Sequence, residues 1–425
     1  MSEMKLRHLA DIQNSNVDKV IIEGEQPVRL CNYVDVYKND FITPDMEFNP
    51  GSATRTEIDR FRVKVGDVII TKDSEDRHDI GVPAYVRKTA DDLVCGYHLT
   101  MLRAFKNRAD GAFLFWALQS KPAKEAFAIA ANGVTRYGLT QEGIKGLPLW
   151  VPNLPTQKRI AAYLDRETAR IDELIAKKER LVDLLQERGS AAREELLWGE
   201  GPISKLGHHI SILPGYAFAS ASFSDNPEDI RLLRGANVGV DEVRWDDTVY
   251  WPASEVKGVE RFRLKAGDLV MGMDRPWISG GIRVAEVQES DLPCLLLQRV
   301  CKISPRKTLE ARYLKSMLES KKFVAYFEPI LTGVSVPHIS GDQISNFRFP
   351  FVGVDEQIRR MDHLEKITRS IQPITRATQI STDRLREYRA ALITAAVTGQ
   401  LDVETYCKAG TTSETLDRIE EEMQA

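Results

Sequence analysis

A stripe of apolar residues that recurs 200 positions later constrains this chain more than any other feature. From Leu154 to Trp198, apolar side chains recur at Ile160, Leu164, Ile171, Leu174, Leu181, Leu185 and Ala192, in the spacing of a heptad seam. Pro155 falls in the first turn, where proline is tolerated, and Gly189 is the one interior glycine. At about 1.5 Å per residue such a helix is on the order of 60 Å long, and with a single apolar stripe it needs a partner of matching length. Adding 200 to Leu164, Ile171, Leu174, Leu185 and Ala192 gives Leu364, Ile371, Ile374, Leu385 and Leu392, all apolar. Polar residues keep the same step: Gln157 with Gln357, Arg159 with Arg359, Thr168 with Thr368 and Glu187 with Glu387. Gly199 and Gly399 close both segments, as helix stops do. The expected interface is therefore Leu164, Ile171, Leu174, Leu181 and Leu185 against Leu364, Ile371, Ile374, Leu385 and Leu392. The match fails where Ile160 meets Arg360 and Leu181 meets Ser381, and Pro373 is expected to kink or delay the second helix.

The repeat extends beyond the helices. Phe61-Arg62-Val63-Lys64-Val65-Gly66-Asp67-Val68 returns as Phe262-Arg263-Leu264-Lys265-Ala266-Gly267-Asp268-Leu269, and Gly133-Val134 returns as Gly333-Val334. Arg29-Leu30 with Asp35-Val36 returns as Arg231-Leu232 with Asn237-Val238, so the offset drifts only from 202 to 200. This is a tandem duplication, and two copies do not make a solenoid. The expected organisation is a globular part over 1–153, a long helix over 154–199, a second globular part over 200–353, a second long helix over 354–400 and a tail over 401–425. Within each globular part the reading is mixed. Val68-Ile69-Ile70 and Leu269-Val270-Met271 follow Gly-Asp turns and read as buried strands. Ala112 to Ala131 and Leu309 to Phe327 read as helices, with Phe115, Trp116, Phe323 and Phe327 in the core. Leu147 to Pro152 and Phe347 to Val352 read as extended leads into the long helices, the second capped by Asp355. Leu416, Ile419 and Met423 give at most a short surface helix in an acidic tail.

An apolar content of 43% and a charged content of 28% are those of a globular chain that buries cores. Cys31, Cys95, Cys294, Cys301 and Cys407 are odd in number and form no C-x-x-C pair, so they read as reduced thiols in a cytoplasm. No apolar run follows Met1, and none approaches the length of a membrane span. The net charge of −4 weighs mildly against a nucleic-acid partner, although segregated charge leaves one open. Nucleotide-binding glycine loops are absent, and Asn49-Pro50-Gly51 lacks the second proline and aromatic residue of an amino-methyltransferase loop. His208-His209, if on a strand, point to opposite faces and make a poor metal pair. No cofactor and no metal are expected.

Four stretches carry a family resemblance. Gly133-Val134-Thr135-Arg136-Tyr137-Gly138-Leu139 and Pro155-Thr156-Gln157-Lys158-Arg159-Ile160-Ala161-Ala162-Tyr163-Leu164-Asp165 resemble the specificity subunit of type I restriction–modification systems, as do Val28 to Tyr37 and Gly215-Tyr216-Ala217-Phe218. The resemblance runs over about residues 20–400, in the family's own order. It implies an α+β fold: two similar mixed α/β target recognition domains, separated by an antiparallel coiled coil of two long helices. Each domain would read one half of a bipartite site in double-stranded DNA, and the helix pair would set the spacer. Two modification (methyltransferase) subunits and the restriction (endonuclease/translocase) subunits would be the protein partners, and the specificity chain itself would not be catalytic.

On that reading, the residues expected to meet DNA lie on loops at turn signals. In the first half they are Lys72, Asp73 and Arg77 after the buried strand, and Thr135, Arg136 and Tyr137 before the long helix. In the second half they are Asp274, Arg275, Trp277 and Ser279, then Ser335 and His338. Arg and Lys suit guanine O6/N7, and Asn, Gln and Ser suit other base edges. Any one of them can equally be a solvated loop residue or a phosphate contact. Two other classes remain open: a duplicated coiled-coil interaction scaffold without nucleic acid, and an enzyme whose site leaves no motif.

Overall fold

The computed structural model describes residues 2–278, 281–331 and 337–403. Ser279, Gly280, the Gly333-Val334 pair, Ser335, Cys407 and the tail helix expected around Leu416 lie outside the described residues. Both long helices are present, Leu154–Leu197 and Val354–Val397, each of 44 residues. The chain divides into two compact units. One comprises the residues up to Glu179 together with those from Thr378, and the other is Arg180–Ala377. Each unit thus holds one globular part and a portion of both long helices.

In the first unit a five-stranded sheet has the order Ala10–Asn14, Leu99–Ala104, Val68–Thr71, Pro83–Val86, Phe41–Ile42. All neighbours are antiparallel except the last pair. A smaller sheet pairs Gln26–Cys31 antiparallel with Asn49–Ala53 and parallel with Leu93–Cys95. The second unit builds a related arrangement, with four strands in its larger sheet. Ile210–Pro214, Val300–Pro305, Leu269–Gly272 and Val284–Glu286 lie in one sheet. Ile230–Leu233 pairs antiparallel with Tyr250–Trp251 and parallel with Cys294–Leu296. The strands expected at Val68 and Leu269 are buried along their whole length. They run as uninterrupted apolar residues because both of their faces are covered.

Ala112 to Ala131 is two helices, Gly111–Gln119 and Lys121–Ala130, where one was expected. Ser120 breaks it: its backbone is extended, and its buried hydroxyl donates to the Ala117 carbonyl at 2.6 Å. Ser320, 200 residues on, does the same to Met317 at 2.7 Å between Ala311–Leu318 and Lys321–Leu331. A hydroxyl that competes for the last-turn carbonyls favours the break. Phe115, Trp116, Phe323 and Phe327 are fully buried, as expected of core residues, each contributing about 1.5–3 kcal/mol of apolar burial. Cys31, Cys95, Cys294 and Cys301 are buried and unpaired. Burial pushes the thiols of Cys95, Cys294 and Cys301 up to about 12.

Each long helix is fastened at its root by a glutamine. In the first unit, buried Gln157 accepts from the Asp110 amide at 2.9 Å and donates to the carbonyls of Arg108 and Pro152 at 3.1 and 2.8 Å. In the second, Gln357 accepts from the Glu310 amide at 2.8 Å and donates to Thr308 and Val352 at 3.1 and 2.7 Å. Asn153 caps the first helix by accepting from the Thr156 amide. The second begins at Gly353, whose carbonyl accepts from Glu356, so Asp355 sits inside the first turn and is not the cap expected of it. There its charge still favours the helix N-terminus. Gly399 ends the second helix at φ +75°, a conformation that glycine adopts freely.

The helices run antiparallel within each unit. In the first, Arg389 pairs with Asp172 at 2.8 Å and Arg386 with Glu179 at 2.6 Å. In the second, Ile371 packs near Gly189, and Arg360 donates to the Leu196 carbonyl at 2.9 Å. Residue numbers fall along one helix as they rise along the other. Leu164, Ile171, Leu174, Leu364, Leu385 and Leu392 are buried, and Leu185 and Ile371 are half-buried. Leu181 and Ile374 are instead 37% and 48% exposed, outside the seam expected to include them. Pro373 lies inside the second helix without interrupting it. Positions 372–374 are all exposed, so the pyrrolidine ring faces solvent. Arg360, where the apolar stripe fails, covers the end of the first helix through its bond to Leu196.

Candidate nucleic-acid interface

The backbone brings the two expected loop sets of the first half together. Asp73–Ser74 pairs antiparallel with Tyr137–Leu139, with Gly138 opposite Asp73 and Tyr137 opposite Ser74. The approach needs Gly133: it has φ +135°, and a Cβ there would meet the Arg136 carbonyl at 2.0 Å. Around the pairing Tyr33, Tyr37, Asp73, Ser74, Glu75, Asp76, Asp79, His98 and Arg136 line a cavity of about 440 Å³. Tyr33 and Tyr37 stack at 5.5 Å, and Tyr37 donates to Asp79 at 2.5 Å. Burial, then the charge of Asp79, pushes the Tyr33 phenol up. Lys72 lies 4.9 Å from the Tyr97 ring and Arg77 5.7 Å from the Tyr137 ring. Arg77 also donates to the Ala128 carbonyl at 3.1 Å, which gives it a structural role. Thr135 sits on the exposed turn after Gly133.

The second half assembles a related site. Asp274 bridges to His338, and the His338 Nδ1 lies 2.6 Å from the Asp274 carboxylate. The Arg275 amide donates to the Pro337 carbonyl at 2.7 Å, and Arg275 itself has φ +44°. Trp277 is half-buried, packed against the apolar core of its unit. Ser279 and Ser335 lie outside the described residues.

The structure adds two side chains that the loop signals did not point to. His98 Nδ1 lies 2.6 Å from the Asp73 carboxylate, and Arg299 Nη1 lies 3.6 Å from that of Asp274. Both pairs are 201 positions apart. His98 and Arg299 are also left-handed, at φ +70° and +72°, which costs an L residue on the order of 1 kcal/mol. The same backbone bonds hold both turns: the Lys72 amide donates to His98 and the Met273 amide to Arg299, at 3.2 and 2.9 Å. Aligning the repeat one strand further would have paired His98 with Arg299. Histidine signals a left-handed turn only weakly, and arginine does not. Arg283 was missed as well. It donates to the carbonyls of Val238 and Asp274, and burial pulls its guanidinium below the usual value.

The His208-His209 reading also changes. His208 ends a 3-10 turn and His209 caps it. Both ring nitrogens of His209 lie 2.9 Å from hydroxyls, those of Ser204 and Thr308. The ring stacks on Phe351 at 4.5 Å, so it is a packing residue. Among the described residues, no group of three His, Cys, Asp or Glu is placed to hold a metal ion, and no helix is long and apolar enough to cross a membrane.

Two related units thus each open an Asp-centred polar loop site. Residues 1–182 match the family model of the type I restriction modification DNA specificity domain. The chain is 35% identical over 164 residues to the type I restriction enzyme EcoAI specificity subunit of Escherichia coli, covering 38% of this chain and 27% of that one. It is 23% identical over 282 residues to the MjaVIII specificity subunit of Methanocaldococcus jannaschii, covering 62% of this chain and 64% of that one. The matched stretches therefore span less than two thirds of these relatives' length. In fold it is similar to a chain from a structural study of assembly and conformational transition of the type I system, with a TM-score of 0.71 at 16% identity, over 94% of this chain and 98% of that one. It is also similar to the HsdS subunit from Thermoanaerobacter tengcongensis, with a TM-score of 0.51 at 18% identity, over 94% and 97%. Residues 1–182 therefore carry the type I restriction modification DNA specificity domain, and the chain as a whole shares its fold with these structures.

Proposed function

We propose that this chain reads a bipartite site in double-stranded DNA for a type I restriction–modification complex. The loop site around Asp73 takes one half-site and that around Asp274 takes the other. The paired helices set the spacer and dock the modification subunits, with the restriction subunits joining the assembly. Methyl transfer and cleavage belong to those partners, and this chain supplies sequence choice. Lys72, Asp73, Arg77, Thr135, Arg136 and Tyr137 in the first half, and Asp274, Arg275, Trp277 and His338 in the second, are the described candidates for DNA contact.

The observation that carries this reading is the repeat of one site with different side chains. The same strand end, the same aspartate and the same returning segment occur twice, 201 and 200 residues apart. A scaffold gains nothing from varying polar loops on a preserved frame, whereas a two-part reader needs that arrangement, since base edges alone carry sequence.

The test is selection from a randomised duplex pool by the full chain bound to its modification subunits. The expected result is two short motifs at a fixed separation, with affinity falling steeply with salt. A pool that returns no motif, or binding indifferent to salt, rejects it in favour of the interaction scaffold. Methyl transfer by the isolated chain rejects the assignment of catalysis to partners.

A further inference from the structure

The two Asp-centred sites share a frame but expose opposite hydrogen-bonding character. In the first, Nδ1 of His98 faces Asp73 at 2.6 Å, so the carboxylate accepts and that nitrogen carries the proton. The remaining nitrogen, Nε2, is then an acceptor in the neutral ring. The acceptors Glu75, Asp76 and Asp79 line the same cavity, with the hydroxyls of Tyr33, Tyr37 and Ser74 and with Arg136 as the cation among them. In the second site the equivalent turn carries Arg299, whose guanidinium is 60% exposed and touches Asp274 only at 3.6 Å. Arg275 follows Asp274 on the neighbouring loop, its backbone tied to Pro337. That surface offers donors.

A left-handed turn is normally given to glycine, or to asparagine, aspartate or histidine, and seldom to arginine. Here both copies keep φ near +70° while the side chain changes from imidazole to guanidinium. The local geometry is preserved and the chemistry is not. A merely structural turn gains nothing from either side chain, because glycine takes that backbone without strain.

We infer that the position occupied by His98 in one unit and Arg299 in the other reads a base in each half-site: an amino-bearing base, adenine or cytosine, through the acceptor Nε2 of His98, and guanine through the donors of Arg299. An imidazole acceptor fits adenine N6 or cytosine N4, and a guanidinium fits guanine O6 and N7. Asp73 and Asp274 position these side chains and do not themselves need to touch a base. This inference rests on the proposed function and names the bases that the two sites take.

Glycine replacements make the test clean, since His98→Gly and Arg299→Gly remove the side chain and relieve the backbone. Each variant, as full chain with its modification subunits, is put through duplex selection at one salt concentration, and its thermal unfolding is followed. Arg299→Gly is expected to unfold no earlier than the parent. It should lose a guanine preference at one position of one half-site, with discrimination falling on the order of 10- to 100-fold. His98→Gly should lose an adenine or cytosine preference in the other half-site, and His98→Arg should turn that preference towards guanine. A parent that selects a bipartite motif, with folded variants that select the same motif, overturns this inference and leaves the proposed function standing. A parent that selects no motif overturns both. Loss of preference in both half-sites from a single variant also overturns it.

Discussion

The Asp73 and Asp274 sites stand on the same strand end of duplicated sheets, yet differ in how the aspartate is engaged. Asp73 holds one partner, His98, whereas Asp274 holds His338 at 2.6 Å and Arg299 at 3.6 Å. The returning segment differs as well: Gly138 lies opposite Asp73, and His338, 200 residues on, lies opposite Asp274. Where the first unit leaves a glycine and a cavity, the second fills the position with an imidazole. Duplication has preserved backbone hydrogen bonding while the side chains diverged. That is the expected outcome when the frame must fold and the loops must choose different targets.

The largest break in this comparison comes from exchange. Replacing residues 200–350 with those of a relative should change one half-site completely and leave the other intact, read by duplex selection; a change in both halves would show that the units do not read independently. Next in size is removal of the aspartates. Asp274→Ala frees two cationic or imidazole partners and should reduce discrimination in its half-site by on the order of 100-fold. Asp73→Ala frees one and should cost about 10-fold, since each good base contact is worth about 1–3 kcal/mol. Competition binding with single-base variants measures both, and equal losses would remove the difference described above.

Smaller effects test the shared frame. Gln157→Ala and Gln357→Ala each strand a buried backbone amide and two carbonyls, and should destabilise by about 1–3 kcal/mol. Denaturant unfolding should give similar losses for the two, and a neutral result at either would make that glutamine incidental. Arg275→Ala should lower the slope of log affinity against log salt by about 0.9 if its charge meets a phosphate, and an unchanged slope would place it on a base edge. The smallest effect belongs to the helices. Leu181→Gln and Ile374→Gln, both exposed, should shift stability by no more than about 0.5 kcal/mol, whereas buried Ile171→Ala should cost about 2–5 kcal/mol.

Much of the architecture was legible because it is written twice. The apolar stripe gave both long helices and the Gly-Asp turns marked the buried strands, whereas Gln157 and Gln357 showed only as matching positions of the repeat. The failures have local causes. Ser120 and Ser320 read as ordinary helix residues until their hydroxyls are seen competing for backbone carbonyls. Pro373 reads as a break, yet it lies where the second helix faces solvent. Leu181 and Ile374 satisfy the heptad spacing, but near the middle of each helix that spacing does not predict which residues are covered. Around the candidate site, turn chemistry pointed to Asp73 and Asp274 but not to His98 and Arg299, because histidine's preference for a left-handed backbone is weak and arginine has none. Trp277, read as a loop aromatic, is half-buried on the short strand Trp277–Ile278, with its ring packed against the core of its unit.

The glutamine at each helix root has a consequence for how such chains can trade parts. Gln157 grips an amide and two carbonyls from residues 108–152, and Gln357 grips the matching groups from 308–352. None of the six gripped groups is a side chain, so the socket is indifferent to the residues that supply it. A foreign recognition module with quite different loops can therefore be seated, provided its backbone presents one N–H and two C=O groups in the same places. Grafts whose junctions preserve that triad should fold, and those that shift it by a residue should not.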